Sequence, residues 1–379
     1  MSLKHSPLRA IDVGSFPLEG VDIERYCRGA VAVEDKQPSP DANYFIQMHN
    51  NVFRKKLGAL NPAASVLCYV QSAYRRDMIS QFLDPILRKG TGLQKVQDAS
   101  VWDGSAIRLR PEDARIAEVI ALQQGAKELC EEFDIERIKY KVCVTGPFEL
   151  MVRLWSGMRL KTQYAEHLMD GLTDVVQGFV KTAYAETKHL EPAVLTMDEP
   201  SIGVTGIEDV FVDAASDPNL AHLISCWDRI YDCVPRAPFR GLHLHASPYR
   251  QIFHARWNLL EGHVGMVVNR QWLEEHDKFL RAAIMRTQGP SIPDDADAKE
   301  AWNKIKAGDY GRYLEPQVEI ARTLKECVNR YGGERIPFAG PECGLGPWDW
   351  RCGQAMALES LARVSEVIKE FNQVGGKAG

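Results

Sequence analysis

Short apolar, β-branched runs recur along the chain, each ending in Gly, Pro or polar residues and each followed by a long stretch with apolar residues every three or four positions. This is the sequence form of βα units wound into a parallel sheet. The runs predict strands at 65–70, 138–144, 193–197, 241–245, 264–268 and 335–340, and helices at 112–133, 159–189, 215–232, 270–286, 315–331 and 353–371. In 159–189 the stripe is Tyr164, Leu168, Leu172, Val175, Val176, Phe179 and Val180, a face that covers a sheet. About six to eight such units in 379 residues fit a closed (β/α)8 barrel of the α/β class, a single domain over 1–379. An open doubly wound sheet fits less well, and "VGSFPLEG" (13–20) lacks the glycine spacing of a dinucleotide-binding turn. The segment 285–315, rich in Pro, Asp and Gly, reads as a loop insertion on the substrate face carrying a short helix.

A net charge of -5 offers no broad positive field for nucleic acid or anionic lipid, so neither is an expected partner. No stretch approaches the roughly 20 apolar residues of a membrane helix, and the N-terminal residues lack a secretory apolar core. Nine cysteines are scattered without a CxxC pair, which fits reduced thiols in a cytoplasmic protein. A homo-oligomer is left open.

The unusual polar residues follow predicted strands, at the face of a barrel that carries active sites. Asp198 and Glu199 in "TMDEPS" are adjacent and point to opposite sides, so either one faces the pocket, or one is a helix N-cap and its neighbour faces solvent. His243 and His245 in "HLHAS" share one strand face and can reach a common ion, or one donates to a carbonyl while the other packs. Asn269 and Arg270 follow the predicted strand 264–268. Cys343 sits in the Gly-flanked turn "PECG", where a thiolate can be a ligand or nucleophile and a buried thiol is the alternative.

Taken in order, "DVGSFP" (12–17), "RRDM" (75–78), "VTGPFELMVRLWS" (144–156), "MDEPSI" (197–202), "LHLHAS" (242–247) and "PECGL" (341–345) resemble the landmarks of cobalamin-independent methionine synthase. The likeness is to the catalytic, C-terminal half of that family, spans roughly 7–371, and extends to the barrel superfamily that includes uroporphyrinogen decarboxylase. It implies a Zn2+-activated thiolate that attacks a methyl or alkyl group. The family's ligands are a His and a Cys of an HxC motif, a Glu one strand later and a Cys of a "DCGL"-like motif. Carried over, they fall on His245, Ser247, Asn269 and Cys343, so two of the four positions hold neutral residues that bind zinc less well. His243 offers a replacement, giving a metal set of His243, His245 and Cys343 with one open position.

The resemblance also implies substrate contacts at Gly14, Ser15, Trp155 and Asp198 and places Ser72 in the substrate site. Arg76 reads as a contact to an anionic substrate or as an exposed helix charge, and Asp198, Glu199 and His243 at the strand ends are the catalytic candidates. The family holds the homocysteine ammonium with a Glu where this chain has Ser72. Loss of that charge-assisted hydrogen bond is worth roughly 1.5–3 kcal/mol and disfavours homocysteine as acceptor. The expected activity is methyl or alkyl transfer involving a small-molecule thiol and an alkyl donor. The alternatives are a metal-independent lyase or decarboxylase of the same superfamily, and a barrel that binds without catalysing.

Overall fold

In the computed structural model, which describes residues 7–69, 71, 77–96, 101–154, 162–203, 218–293, 296–348 and 350–375, the apolar runs become the staves of a closed barrel. The strands are β1 (Arg9–Ile11), β2 (Ser65–Cys68), β3 (Thr91–Val96), β4 (Val101–Arg108), β5 (Ile138–Thr145), β6 (Leu190–Asp198), β7 (Phe239–His243), β8 (Leu259–Glu261), β9 (Phe279–Met285) and β10 (Phe338–Pro341). Eight of them close in the order β1-β10-β9-β8-β7-β6-β5-β2, every pair parallel, while β3 and β4 form a separate antiparallel hairpin. The fold is a (β/α)8 barrel, as expected from the repeating units.

The helices are α1 (Ile23–Glu34), α2 (Pro40–Leu60), α3 (Ser80–Lys89), α4 (Ala117–Phe133), α5 (Pro147–Arg153), α6 (Thr162–Ala183), α7 (Pro218–Tyr231), α8 (Arg270–Glu275), α9 (Ala298–Lys306), α10 (Gln317–Tyr331) and α11 (Gly353–Gly375). On α6 the stripe Leu168, Leu172, Val175, Val176, Phe179 and Val180 is buried as the spacing required. Each such side chain contributes about 1.5–3 kcal/mol of transfer free energy, before the entropy of ordering it. Ser39 caps α2 by accepting from Ala42 N at 3.0 Å, with Pro40 preset for the first turn. No helix among the described residues is long and apolar enough to cross a membrane.

One stretch folds differently from its sequence reading. "VGMVV" (264–268) is a turn and loop, not a strand, and the predicted helix 270–286 divides into the six-residue α8 and the strand β9. Asp277, in the left-handed region at φ 47°, makes the reversal between them. β1, β3, β4, β8 and β9 are absent from the predicted strands; β8 and β9 are buried on both faces, so neither shows the alternation that marks a half-exposed strand.

Inside the barrel the side chains stack in layers, because every second residue of a strand faces the bore. The lowest layer is apolar: Ile11, Val66, Val194, Phe239, Leu259, Phe279 and Phe338 form a cluster of their own, with Phe239 and Phe338 rings 4.8 Å apart. Two residues higher lies a buried ionic layer. Glu261 accepts from Lys141 Nζ at 2.6 Å and Thr196 Oγ1 at 2.7 Å and pairs with Arg281 Nε at 3.2 Å. Burial works against the charge on Lys141, yet Glu261 holds it protonated above the usual lysine range. Two residues higher again, the strand ends carry Asp198, His243 and the loops beyond.

Candidate metal centre at the barrel mouth

Three stretches of the wall, after β7, β8 and β10, deliver the site, with β9 between the last two. β7 ends in His243 and runs on to His245, the backbone continues past β8 to His263, and β10 leads into Cys343. One ligand atom from each of these four residues lies within 4.8 Å of the others. Cys343 Sγ is 3.8 Å from His245 Nε2 and 4.0 Å from His243 Nε2. Tetrahedral zinc bonded at about 2.0–2.1 Å to nitrogen and 2.3 Å to sulfur would set such N to S edges at about 3.6 Å. The two edges from Cys343 therefore fit a metal within a few tenths of an ångström, and the remaining ligand atoms lie within 4.8 Å of one another. The buried His263 Nε2 and His243 Nδ1 have no hydrogen-bond partner among the described residues, and a bound ion would satisfy the first.

The four groups are held ready for an ion rather than for protons. Burial, reinforced by neighbouring imidazoles, pushes His243 well below its usual range and His245 down to about 4. Burial lowers His263 as well, although Glu342 opposes this. All three rings are thus neutral donors at physiological pH. Burial pushes the Cys343 thiol up to about 11; without a cation it is a thiol, and a metal ligand must lose that proton.

Charged side chains behind the ligands fix their loops. Glu342, almost fully buried, accepts from Thr287 N at 2.9 Å and Val264 N at 3.0 Å, and its Oε2 stands 3.8 Å from His263 Nδ1. A carboxylate behind the far nitrogen of an imidazole is the arrangement that orients metal-binding histidines. Arg281 reaches up from the ionic layer and donates to Glu342 O at 3.0 Å, to Gly262 O at 3.5 Å and to Pro341 O. Two of these carbonyls are next in sequence to Cys343 and His263.

His263, Glu342 and Arg281 were all missed in the sequence. The signal was available, since Leu259, Glu261 and His263 stand at period two in "LLEGH". The position read as the family's Glu is corrected accordingly: Asn269 is exposed and caps α8, its Oδ1 accepting from Gln271 N at 2.9 Å, and the residue aimed at the centre after this strand is His263. Ser247 is exposed beyond His245. The centre therefore offers four ligand groups rather than three, of which one is anionic when deprotonated.

Asp198 and Glu199 do separate to opposite sides. Asp198 faces the bore, where Cys143 Sγ donates to its Oδ2 at 2.9 Å while Oδ1 is buried without a hydrogen-bond partner among the described residues. Burial, against the pull of Lys141, raises it to about 7. Glu199 is buried behind the wall and accepts from Glu149 N at 2.6 Å, Phe148 N at 3.2 Å and Trp227 Nε1 at 2.9 Å. Those amides are the first turn of α5, so Glu199 is a helix clamp and not, as expected, a group of the reacting centre.

Gly14, at φ 117°, brings its backbone against Cys68 and Tyr69, where a Cβ would lie 2.8 Å from Cys68 Sγ. Ser15 O accepts from Leu345 N at 2.6 Å, which seats this turn beside the Cys343 loop. Ser72, Arg76 and Trp155 lie outside the described residues.

No family model and no curated protein matches the sequence. Among solved structures the fold is similar to a B12-independent methionine synthase from Shewanella sp. W3-18-1 in complex with selenomethionine, at TM-score 0.60 and 13% identity over 97% of this chain and 100% of that one. It is also similar to a putative vitamin-B12 independent methionine synthase from Listeria monocytogenes (TM-score 0.55, 12% identity, 97% and 98% covered). A third similar structure is a methyltransferase from Methanosarcina mazei (TM-score 0.54, 14% identity, 98% and 96% covered). At such identities the likeness is one of fold.

Proposed function

We propose that this chain is a methyl- or alkyltransferase that binds Zn2+ through His243, His245, His263 and Cys343 and acts on a small-molecule thiol other than homocysteine. The observation that carries this reading is the convergence of three imidazoles and one thiol at the open end of the barrel. The names of the structural neighbours support the same reaction class. When bound, zinc would hold a substrate sulfur as thiolate near neutral pH, provided that the sulfur took the place of one of the four protein ligands or enlarged the coordination to five. The chain's own groups supply the rest. Arg281 and Glu342 fix the loops of Cys343 and His263, and the neutral imidazoles leave the centre with a single anionic ligand. Asp198 presents its Oδ1, which has no partner among the described residues, to the bore, where it orients a polar group of the substrate, and the Gly14 and Ser15 backbone borders the same space.

Elemental analysis of purified protein tests the ligand set. Zinc is expected, with about one equivalent lost in Cys343→Ser and in His263→Gln. A Cys343→Ser protein that keeps its full metal content would refute the assignment. Transfer of a labelled methyl group to a panel of thiols, compared between the wild type and Cys343→Ser, tests the chemistry.

A further inference from the structure

The geometry points to a second divalent-cation site, between α6 and α7, formed by Asp170, His222 and Cys226. His222 Nε2 is 3.6 Å from Asp170 Oδ1 and 3.6 Å from Cys226 Sγ, and Cys226 Sγ is 3.9 Å from the same Oδ1. Zinc bonds of about 2.0–2.3 Å in tetrahedral array separate such donors by about 3.3–3.6 Å, so the triangle closes on an ion with small side-chain shifts. His222 and Cys226 are four apart on one helix and therefore share its face. Cys226 is buried, whereas His222 and Asp170 are 27% and 41% exposed, which leaves a fourth position for water. An imidazole, a thiolate and a carboxylate together suit zinc or another borderline-soft ion.

Arg229 already contacts this centre. Its Nη1 donates to Asp170 Oδ1 at 2.6 Å and its Nη2 to Asp174 Oδ1. An ion pair alone accounts for Asp170 and Arg229 but not for a thiol and an imidazole placed around the same oxygen. On metal binding Arg229 keeps Asp174, and Asp170 keeps its second oxygen. The guanidinium repels the incoming cation, so this site is the weaker of the two. It shares no residue with the barrel-mouth centre and is independent of the function proposed above.

Titration of the full-length protein with Zn2+ against a chromogenic chelator, and with Co2+ by absorption, tests the site. The expected result is a second, weaker equivalent that survives in Cys343→Ser, where its thiolate-to-Co2+ band is still seen. Cys226→Ser and His222→Gln each weaken that equivalent at least about tenfold, and Arg229→Gln tightens it about tenfold, the scale of outer-shell effects. Should Cys226→Ser disturb packing, Asp170→Asn at the partly exposed position gives the same loss. If all bound metal disappears with Cys343→Ser, or the second equivalent ignores all of the Cys226, His222 and Asp170 changes, the site does not exist.

Discussion

Adjacent carboxylates in "MDEP" meet opposite fates because a strand turns successive side chains to opposite faces. Asp198 is held near neutrality by burial, and its raised value of about 7 against an ordinary 3.8 has a sign. The folded state binds this proton more tightly than the unfolded one, so the stabilisation is complete below about 4 and is lost as pH rises through about 7. Denaturant titrations of the metal-free protein across that window should show a falling contribution that Asp198→Asn flattens. Glu199 behaves as scaffold. Glu199→Gln sets an amide against the α5 donors and is expected to cost about 1–3 kcal/mol of stability, with zinc content unchanged; loss of bound metal at retained stability would return Glu199 to the centre. The pattern of residues in "TMDEPS" shows that the two carboxylates diverge but not which is which, since that depends on strand register against β5 and β7.

At the scale of elements, the sequence carried the long βα units and lost the short ones. α6 declares itself through its uninterrupted apolar stripe, whereas β8 has only three residues and β9 follows α8 after a short turn. A central arginine made "FLRAAIM" look amphipathic, because nothing local shows that Arg281 points inward to Glu261. His243, His245 and Cys343 were found from strand-end position, and His263 was lost with β8. Closure of the sheet depends on a contact equally invisible locally. A Cβ on Gly340 of β10 would lie 1.8 Å from Ile11 O of β1. Gly340→Ala is therefore expected to lower stability by at least about 1–3 kcal/mol in thermal unfolding, and an unchanged midpoint would show that the seam tolerates widening.

Over the whole molecule, the ionic layer ties the core to the mouth. Replacing Arg281 by Met leaves the Glu261 and Lys141 pair intact, so the barrel should still fold. The carbonyls of Gly262, Pro341 and Glu342 then lose their common donor, and zinc affinity should fall roughly 10–100-fold, read by chelator competition. An affinity equal to that of the wild type would mean that the loops hold themselves. Composition and hydrophobic period lead to this architecture without revealing its interior charges, because a buried ion reads in sequence like any surface residue until its partner is known.

The ring of Phe239, Phe279 and Phe338 with its aliphatic neighbours stoppers one end of the tube. If the chain acts as proposed, a tube closed below leaves its mouth as the way in and out among the described residues, so a departing product and an arriving reactant would share that opening. Whichever is in excess then delays the other.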